Sequence, residues 1–321
     1  MKIQAPHVAN LFNYASFKGI PESELRSLLL TPSLDVCNPE EFISDMEFLN
    51  VFKSLMERSN DTYFGLHYGC FLNIKALGFI TQLSLNSSSI RQAVFILQNY
   101  LENSFPLVEM DIIEKSGNCI LTLESSIEDF KIKNDILDIA YSFIYRELKL
   151  MIPSELHPKL EIPYEDVKEY SKFLNFEVQN GKNYSFIFDA LILETEINKK
   201  TAKSIEILLP QFLKMIDKKK VGYKSFSIQV RNLVLNMCSP ELPSFDQVIT
   251  HFPLSTRSFQ RKLSDEGLSF RKITDDIKHE LSSYLTKGDK MKTHEIAYIL
   301  GYSESSSYLH AAKKWKKEHQ F

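Results

Sequence analysis

The sequence predicts an α+β protein that is predominantly helical: a mixed α/β N-terminal domain, then an all-α C-terminal domain of two helix-turn-helix units joined by a long helix. Three observations carry this prediction. Apolar residues recur at three- and four-residue steps along much of the chain, which is the helical period. On both sides of Lys115-Ser116-Gly117-Asn118 the pattern changes to that of a β-hairpin, with glycine supplying a positive φ. From Ser244 onward, cap, helix, turn and helix follow one another twice.

Pro39 to Arg58 reads as an amphipathic helix, with Phe42, Met46, Leu49, Phe52 and Met56 on one face and a proline suited to a first turn. A second helix is predicted over Ser89 to Glu102, capped by one of Ser87 to Ser89 and carrying Ile90, Ala93, Val94, Leu97 and Leu101. Val108 to Glu114 and Cys119 to Glu124 form the hairpin, and a long helix over Glu128 to Met151 stops before Pro153. Prolines interrupt the pattern to Pro163. Tyr184 to Phe188 reads as a short strand and Thr201 to Asp217 as a helix. Lys218 to Gly222 is read as the linker between residues 1–217 and 223–321, although a lysine run is equally suited to the last turn of a helix.

In the C-terminal part, Ser244 and Gln247 make a capping box for a short helix ending near Phe252, and Pro253 breaks it. Ser255 is an N-cap for a helix over Thr256 to Glu266 that Gly267 closes. At 100° per residue, Phe259 and Leu263 fall on one side of this helix and Arg257, Gln260, Arg261 and Ser264 on the other. Arg and Gln carry paired donors and acceptors that match guanine and adenine edges, so this stripe suits a helix lying in the major groove. A solvated helix face has the same composition. The pattern recurs: Thr293 caps a helix with Ile296, Ile299 and Leu300, Gly301 ends it, and a last helix runs over Ser305 to Glu318. Tyr308, Ala311, Ala312 and Trp315 form its apolar stripe; Ser306, His310, Lys313 and Lys314 form the opposite face. The connector, Ser269 to Lys287, is a helix of about 28 Å, a length suited to placing two recognition helices on one side of a duplex.

Charge agrees with this division. The 99 residues from Tyr223 carry 15 Lys+Arg against 11 Asp+Glu, whereas the rest of the chain has a balance of −7. A positive end suits counterion release from phosphates. No apolar run approaches the ~20 residues of a membrane span, and the first residues lack the blocks of a signal peptide, so a cytoplasmic protein is expected. Four cysteines are scattered without a C-x-x-C pair. No phosphate loop, G-x-S-x-G, H-E-x-x-H or metal-ligand spacing occurs, so neither an enzyme nor a metal or cofactor protein is expected.

The segment Leu254 to Leu263, then Glu266-Gly267-Leu268-Ser269-Phe270, then Glu295-Ile296-Ala297 with Leu300-Gly301-Tyr302-Ser303-Glu304, resembles the AraC/XylS family of transcription regulators. The resemblance covers about Ser244 to Trp315. It implies double-stranded promoter DNA as partner, with base contacts from Arg257, Gln260 and Arg261 in the first unit and Ser305, Ser306 and His310 in the second. Ala312, His310 and Ser282 stand where the family usually has Phe, Arg and Ala, and Lys316-Lys317-Glu318 replaces a Gly and Pro after the tryptophan. These departures imply a second unit that clamps phosphates through Lys313, Lys314, Lys316 and Lys317 more than it reads bases. Residues Gly19 to Glu124 resemble the arabinose-binding-like domain of ornithine- and virulence-type regulators through Tyr63 to Gly69, Leu77-Gly78 and Leu85 to Ile90. That likeness implies a small-molecule effector and a homodimerising domain and, since the family leans to activation, RNA polymerase as a partner. Control by abundance or by a protein partner is the alternative. His67 beside Tyr68 is read as a ligand contact or a packed histidine, and Phe71, Phe79, Phe95, Phe105, Phe143, Phe173, Phe186 and Phe188 as a pocket lining or as core.

Overall fold

The computed structural model describes residues 1–72, 86–197, 225–238, 242–286 and 291–318, with a few positions between 203 and 215. The chain divides into two compact units, Met1–Ala202 and Lys203–Phe321. The linker expected at 218–222 lies outside the described residues, as do much of the helix expected over 201–217, Leu77, Gly78, Phe79 and Leu85.

The first unit opens with strand β1 (Lys2–Gln4), helices α1 (Pro6–Phe17) and α2 (Glu22–Arg26), strand β2 (Phe42–Ser44) and helix α3 (Asp45–Ser59). The helix expected from Pro39 therefore starts six residues later. Ile43 pairs with Ile3 across β1 and β2 and both are buried, so extended pairing wins over helix here. Ser44 then caps α3 in a reciprocal capping box with Glu47. As a result Phe42 and Met46 are exposed, and the buried face is Phe48, Val51, Phe52, Leu55 and Met56.

Helices α4 (Phe64–Phe71) and α5 (Ile90–Ser104) precede the hairpin β3 (Glu109–Lys115) and β4 (Asn118–Glu124). Its two-residue turn, Ser116-Gly117, has φ of 53° and 80°, the doubly positive geometry that matches strand twist. Helix α6 (Phe130–Met151), capped by Asp129, is followed by β5 (Lys159–Ile162), α7 (Lys168–Leu174), β6 (Val178–Asn180) and β7 (Tyr184–Asp189). The sheet order is β3-β4-β7-β5-β6, antiparallel except for β5 with β6. Short strands β5 and β6 sit in the proline-interrupted segment and after it, and period alone does not announce them.

Helix α6 is buried around most of its circumference because α4 and the sheet both pack on it. Gly65 sets the α4 contact: a Cβ there would stand 2.6 Å from the Asp135 Cα. The absent side chain lets the Gly65 N–H donate to Asp135 Oδ1 at 2.9 Å. Burial raises the Asp135 carboxyl to about 6. One turn on, Asp138 is a buried carboxyl that ties α6 to α7 and β7. Tyr184 donates to its Oδ1 and Tyr170 to its Oδ2, each at 2.8 Å, and Tyr164 Oη meets Tyr184 Oη at 2.5 Å. Burial is the largest influence on Asp138; it outweighs both hydroxyls and pushes the carboxyl up to about 8.

His67 is packed. Its Nδ1 lies 2.7 Å from Asp61, which also accepts from Lys18 Nζ at 2.9 Å and the Tyr63 N–H at 3.1 Å, and its ring meets Phe173 edge-on. Burial lowers the His67 pKa against the pull of Asp61. Burial disfavours the Asp61 carboxylate too, but the His67 hydrogen bond and the Lys18 charge outweigh it and hold its pKa well below the usual range. Of the phenylalanines, Phe71, Phe173, Phe186 and Phe188 fill core, Phe105 and Phe143 border a cavity, and Phe95 is 60% exposed.

Candidate nucleic-acid interface

The second unit contains α8 (Phe226–Met237), α9 (Phe245–Ile249), α10 (Thr256–Asp265), α11 (Phe270–Thr286), α12 (Thr293–Ile299) and α13 (Ser305–Glu318). Five phenylalanines hold the first three-helix cluster. Phe226, Phe245 and Phe252 each meet the buried Phe259 edge-on at centroid distances of 5.0 to 5.5 Å, and Phe245 also meets Phe270. Edge-to-face rings of this kind add to burial and fix the rotation of α10 about its axis.

That rotation decides what α10 presents. The Ser244 capping box starts α9, and Ser255 caps α10 by accepting from the Ser258 N–H. With Phe259 and Leu263 buried, Arg257, Gln260, Arg261 and Ser264 are all exposed. Among the described residues no hydrogen bond or ion pair engages Arg257, Gln260 or Arg261, so their donors are free for an external partner. Lys262, one step round the helix, is held over the Phe226 ring at 5.3 Å. Gly267, with φ of 71°, closes the turn after α10.

A contact that sequence reasoning missed anchors α10 to α8. The Glu266 carboxylate accepts from the N–H groups of Phe226 and Ser227, at 2.7 and 2.9 Å, and so caps the first turn of α8. Burial raises its pKa, but these hydrogen bonds outweigh that and leave it lowered. The partners are 39 and 40 positions apart, and no local motif signals such a pairing. Arg231 Nη2 meets Glu280 Oε2 at 2.6 Å and similarly joins α8 to α11.

The described part of helix α11, Phe270–Thr286, spans about 25 Å. Ser269 is its cap, accepting from the Lys272 N–H, and Lys287 and Gly288 lie outside the described residues. In the second motif, Thr293 is the first helical residue and Lys292 the cap position, because the Glu295 carboxylate accepts from the Lys292 N–H at 2.8 Å. Gly301 again has positive φ, 72°. Tyr308 and Trp315 are buried, with Ala311 and Ala312 half-buried beside them. Trp315 packs on the His279 ring of α11 at 5.3 Å. Ser282 has a reason to be serine: its hydroxyl pairs with Tyr308 Oη at 2.9 Å inside the α11/α13 contact.

Ser306, His310 and Lys313 lie exposed on the outward face of α13, and Ser305 is half-buried at its start. The Ser306 hydroxyl donates to Glu304 at 3.0 Å. Lys314 is turned toward α11, with Nζ 3.7 Å from Asp275. The structure thus brings together the four expected residues of α10 on one exposed face, and Ser306, His310, Lys313 and Lys314 are all exposed on α13, Lys314 with an ion-pair neighbour in Asp275. Among the described residues no helix is long and apolar enough to cross a membrane.

Residues 21–197 match the family model described as the arabinose-binding domain of AraC transcription regulator, N-term. Over 315 residues the chain is 18% identical to an uncharacterized HTH-type transcriptional regulator of Mycobacterium tuberculosis, covering 95% of this chain and 91% of that protein. It is 20% identical to the ornithine utilization regulator of Pseudomonas aeruginosa over 302 residues, covering 87% and 83%. The crystal structure of transcriptional regulator CdpR from Pseudomonas aeruginosa is similar at 17% identity and a TM-score of 0.45, covering 97% of this chain and 95% of that one.

Proposed function

The chain belongs to the AraC family of transcription regulators, and from that premise we propose that it is a sequence-specific activator that reads promoter DNA with α10, aided by α13, under control of a small molecule bound in the first unit. One observation carries the DNA part: Arg257, Gln260, Arg261 and Ser264 form an exposed stripe opposite buried Phe259 and Leu263, with the arginines and Gln260 unengaged within the described chain. Bidentate arginine contacts to guanine and glutamine contacts to adenine discriminate bases by roughly 1–3 kcal/mol each. Helix α13 supports the duplex differently. Ser305 and Ser306 at its start and His310 further along supply short-range contacts, and Lys313 and Lys314 supply charge to the phosphates; the exposure of Ser306, His310, Lys313 and Lys314 supports this. Activation involves contact with RNA polymerase, and residues 1–217 supply effector binding and self-association. DNase footprinting of the full chain on genomic fragments tests the proposal. Protected sites should be lost or relaxed in Arg257→Ala and Arg261→Ala; footprints identical to the parent in both variants overturn the assignment of the reading face.

A further inference from the structure

Helices α10 and α13 share a register set by their buried aromatics. The Phe259 N–H donates to the Ser255 carbonyl and the Tyr308 N–H to the Glu304 carbonyl, so each ring stands four positions after the residue that opens its helix. Both rings are buried. Counted from the ring, Leu309 of α13 falls where α10 has Gln260, and His310 falls where it has Arg261. One step past a buried ring is about 100° round the helix, and Gln260 and Leu309 are both exposed there.

A single exposed leucine is ordinary on a protein surface. The setting of this one is not. Leu309 is 46% exposed, and its neighbours three and four positions away on the same face are Ser305, Ser306 and Lys313. An apolar side chain thus stands among hydroxyls and an ammonium, on the face of α13 that the function proposed above turns toward DNA. We propose that Leu309 is a specificity-determining residue: it packs against the C5-methyl group of a thymine in the major groove and so makes the second helix-turn-helix sensitive to sequence at one base pair. This rests on the DNA-reading function proposed above and adds to it a residue that reads by shape and apolar contact.

Chemistry separates Leu309 from the residues around it. Lysines and hydroxyls serve phosphates in any sequence. In the major groove thymine is the base that presents a methyl group, and apolar side chains are what meet it. Leucine has no donor or acceptor. Pressed against the edge of adenine, guanine or cytosine, it would strip water from polar atoms and give them no partner. Glutamine at the matching position of α10 carries the donor and acceptor that suit adenine. One position of the same motif is therefore fitted to two different bases in the two helices.

Uracil pairs as thymine does and differs from it by that methyl group alone. Duplexes of the site that the full chain protects from DNase are prepared with each thymine replaced singly by uracil, and binding is followed by fluorescence anisotropy. One replacement should weaken the parent about fourfold, the worth of one buried methyl. Leu309→Ala should bind that duplex and its thymine counterpart alike, with circular dichroism checking the fold. Leu309→Gln should exchange the thymine preference at that base pair for adenine. A parent indifferent to every uracil, equal uracil sensitivity in parent and Leu309→Ala at every thymine, or a thymine preference kept by Leu309→Gln each overturns the proposal. Transcription lost in Leu309→Ala with the uracil response intact overturns it too, and assigns the side chain to a protein partner. A chain that protects no DNA fails the function proposed above, a result distinct from a protected site at which the methyl makes no difference.

Discussion

Replacing Asp138 with asparagine should flatten the pH dependence of stability in the first unit. The Asp138 carboxyl is raised to about 8 by burial in the fold, against roughly 3.9 in an unfolded chain. Between those values the folded state holds a proton that the unfolded state has released. Stability from this group is therefore complete below about pH 4 and is lost as pH rises through about 8. At about 1.4 kcal/mol per pH unit the change from pH 5 to pH 7 is at most ~2.7 kcal/mol, and relaxation of the site brings it to about 1–2 kcal/mol. Asparagine copies the protonated carboxyl: its oxygen can accept from one tyrosine and its amide can donate to the other, so Tyr170 and Tyr184 keep their partners. Urea unfolding of the full chain, followed by circular dichroism at pH 5, 6 and 7, gives the comparison. Asp135, raised to about 6, remains in both proteins, so the difference between them isolates Asp138. Fluorescence of Trp315, the single tryptophan and a residue of the second unit, is the internal reference. Parallel stability curves for parent and Asp138→Asn would refute the assignment of a protonated carboxyl.

Gly65→Ala should destabilise the first unit by about 1–3 kcal/mol, since the methyl meets α6 backbone, and thermal unfolding measures it. Glu266→Gln should weaken the cap of α8 by about 1 kcal/mol, read as faster hydrogen exchange at the amides of Phe226 and Ser227; unchanged exchange would deny the cap. Lys313→Ala should lower the slope of log affinity against log salt by ~0.9, one phosphate contact. Lys314→Ala should lower it less, because the Lys314 ammonium already faces Asp275, and equal slopes in the two variants would count against that distinction.

What could be read from the sequence followed the range of the interactions involved. The α9 and α10 boundaries, the Ser116-Gly117 turn and the α10 faces depend on neighbours within a few positions, and Ser255, Ser244 with Gln247, and Gly267 announced them. The start of α3 was misplaced because its competitor is non-local: Phe42 and Ile43 belong to a strand only because Lys2 to Gln4 lies beside them. The same limit hid the Glu266 cap and the Asp138 tyrosine cluster, whose members come together from separate elements. The Asp275 neighbour of Lys314 likewise comes from a different helix, α11, and helical angle alone does not announce it. Ser282 looked like a departure from a small apolar residue until Tyr308 supplied the partner for its hydroxyl.

The carboxylate of Glu266 has a consequence for how this protein grips a duplex. A helix start is a natural seat for phosphate, since its free N–H groups and positive dipole end both favour an anion. At α8 that seat is already filled by the protein's own anion. A DNA strand passing this corner would have to displace Glu266 or leave the seat alone, and displacing it would loosen the joint that holds α10 in place. Grip at α8 therefore has to come from side chains, while its amides are reserved for keeping the reading helix in position.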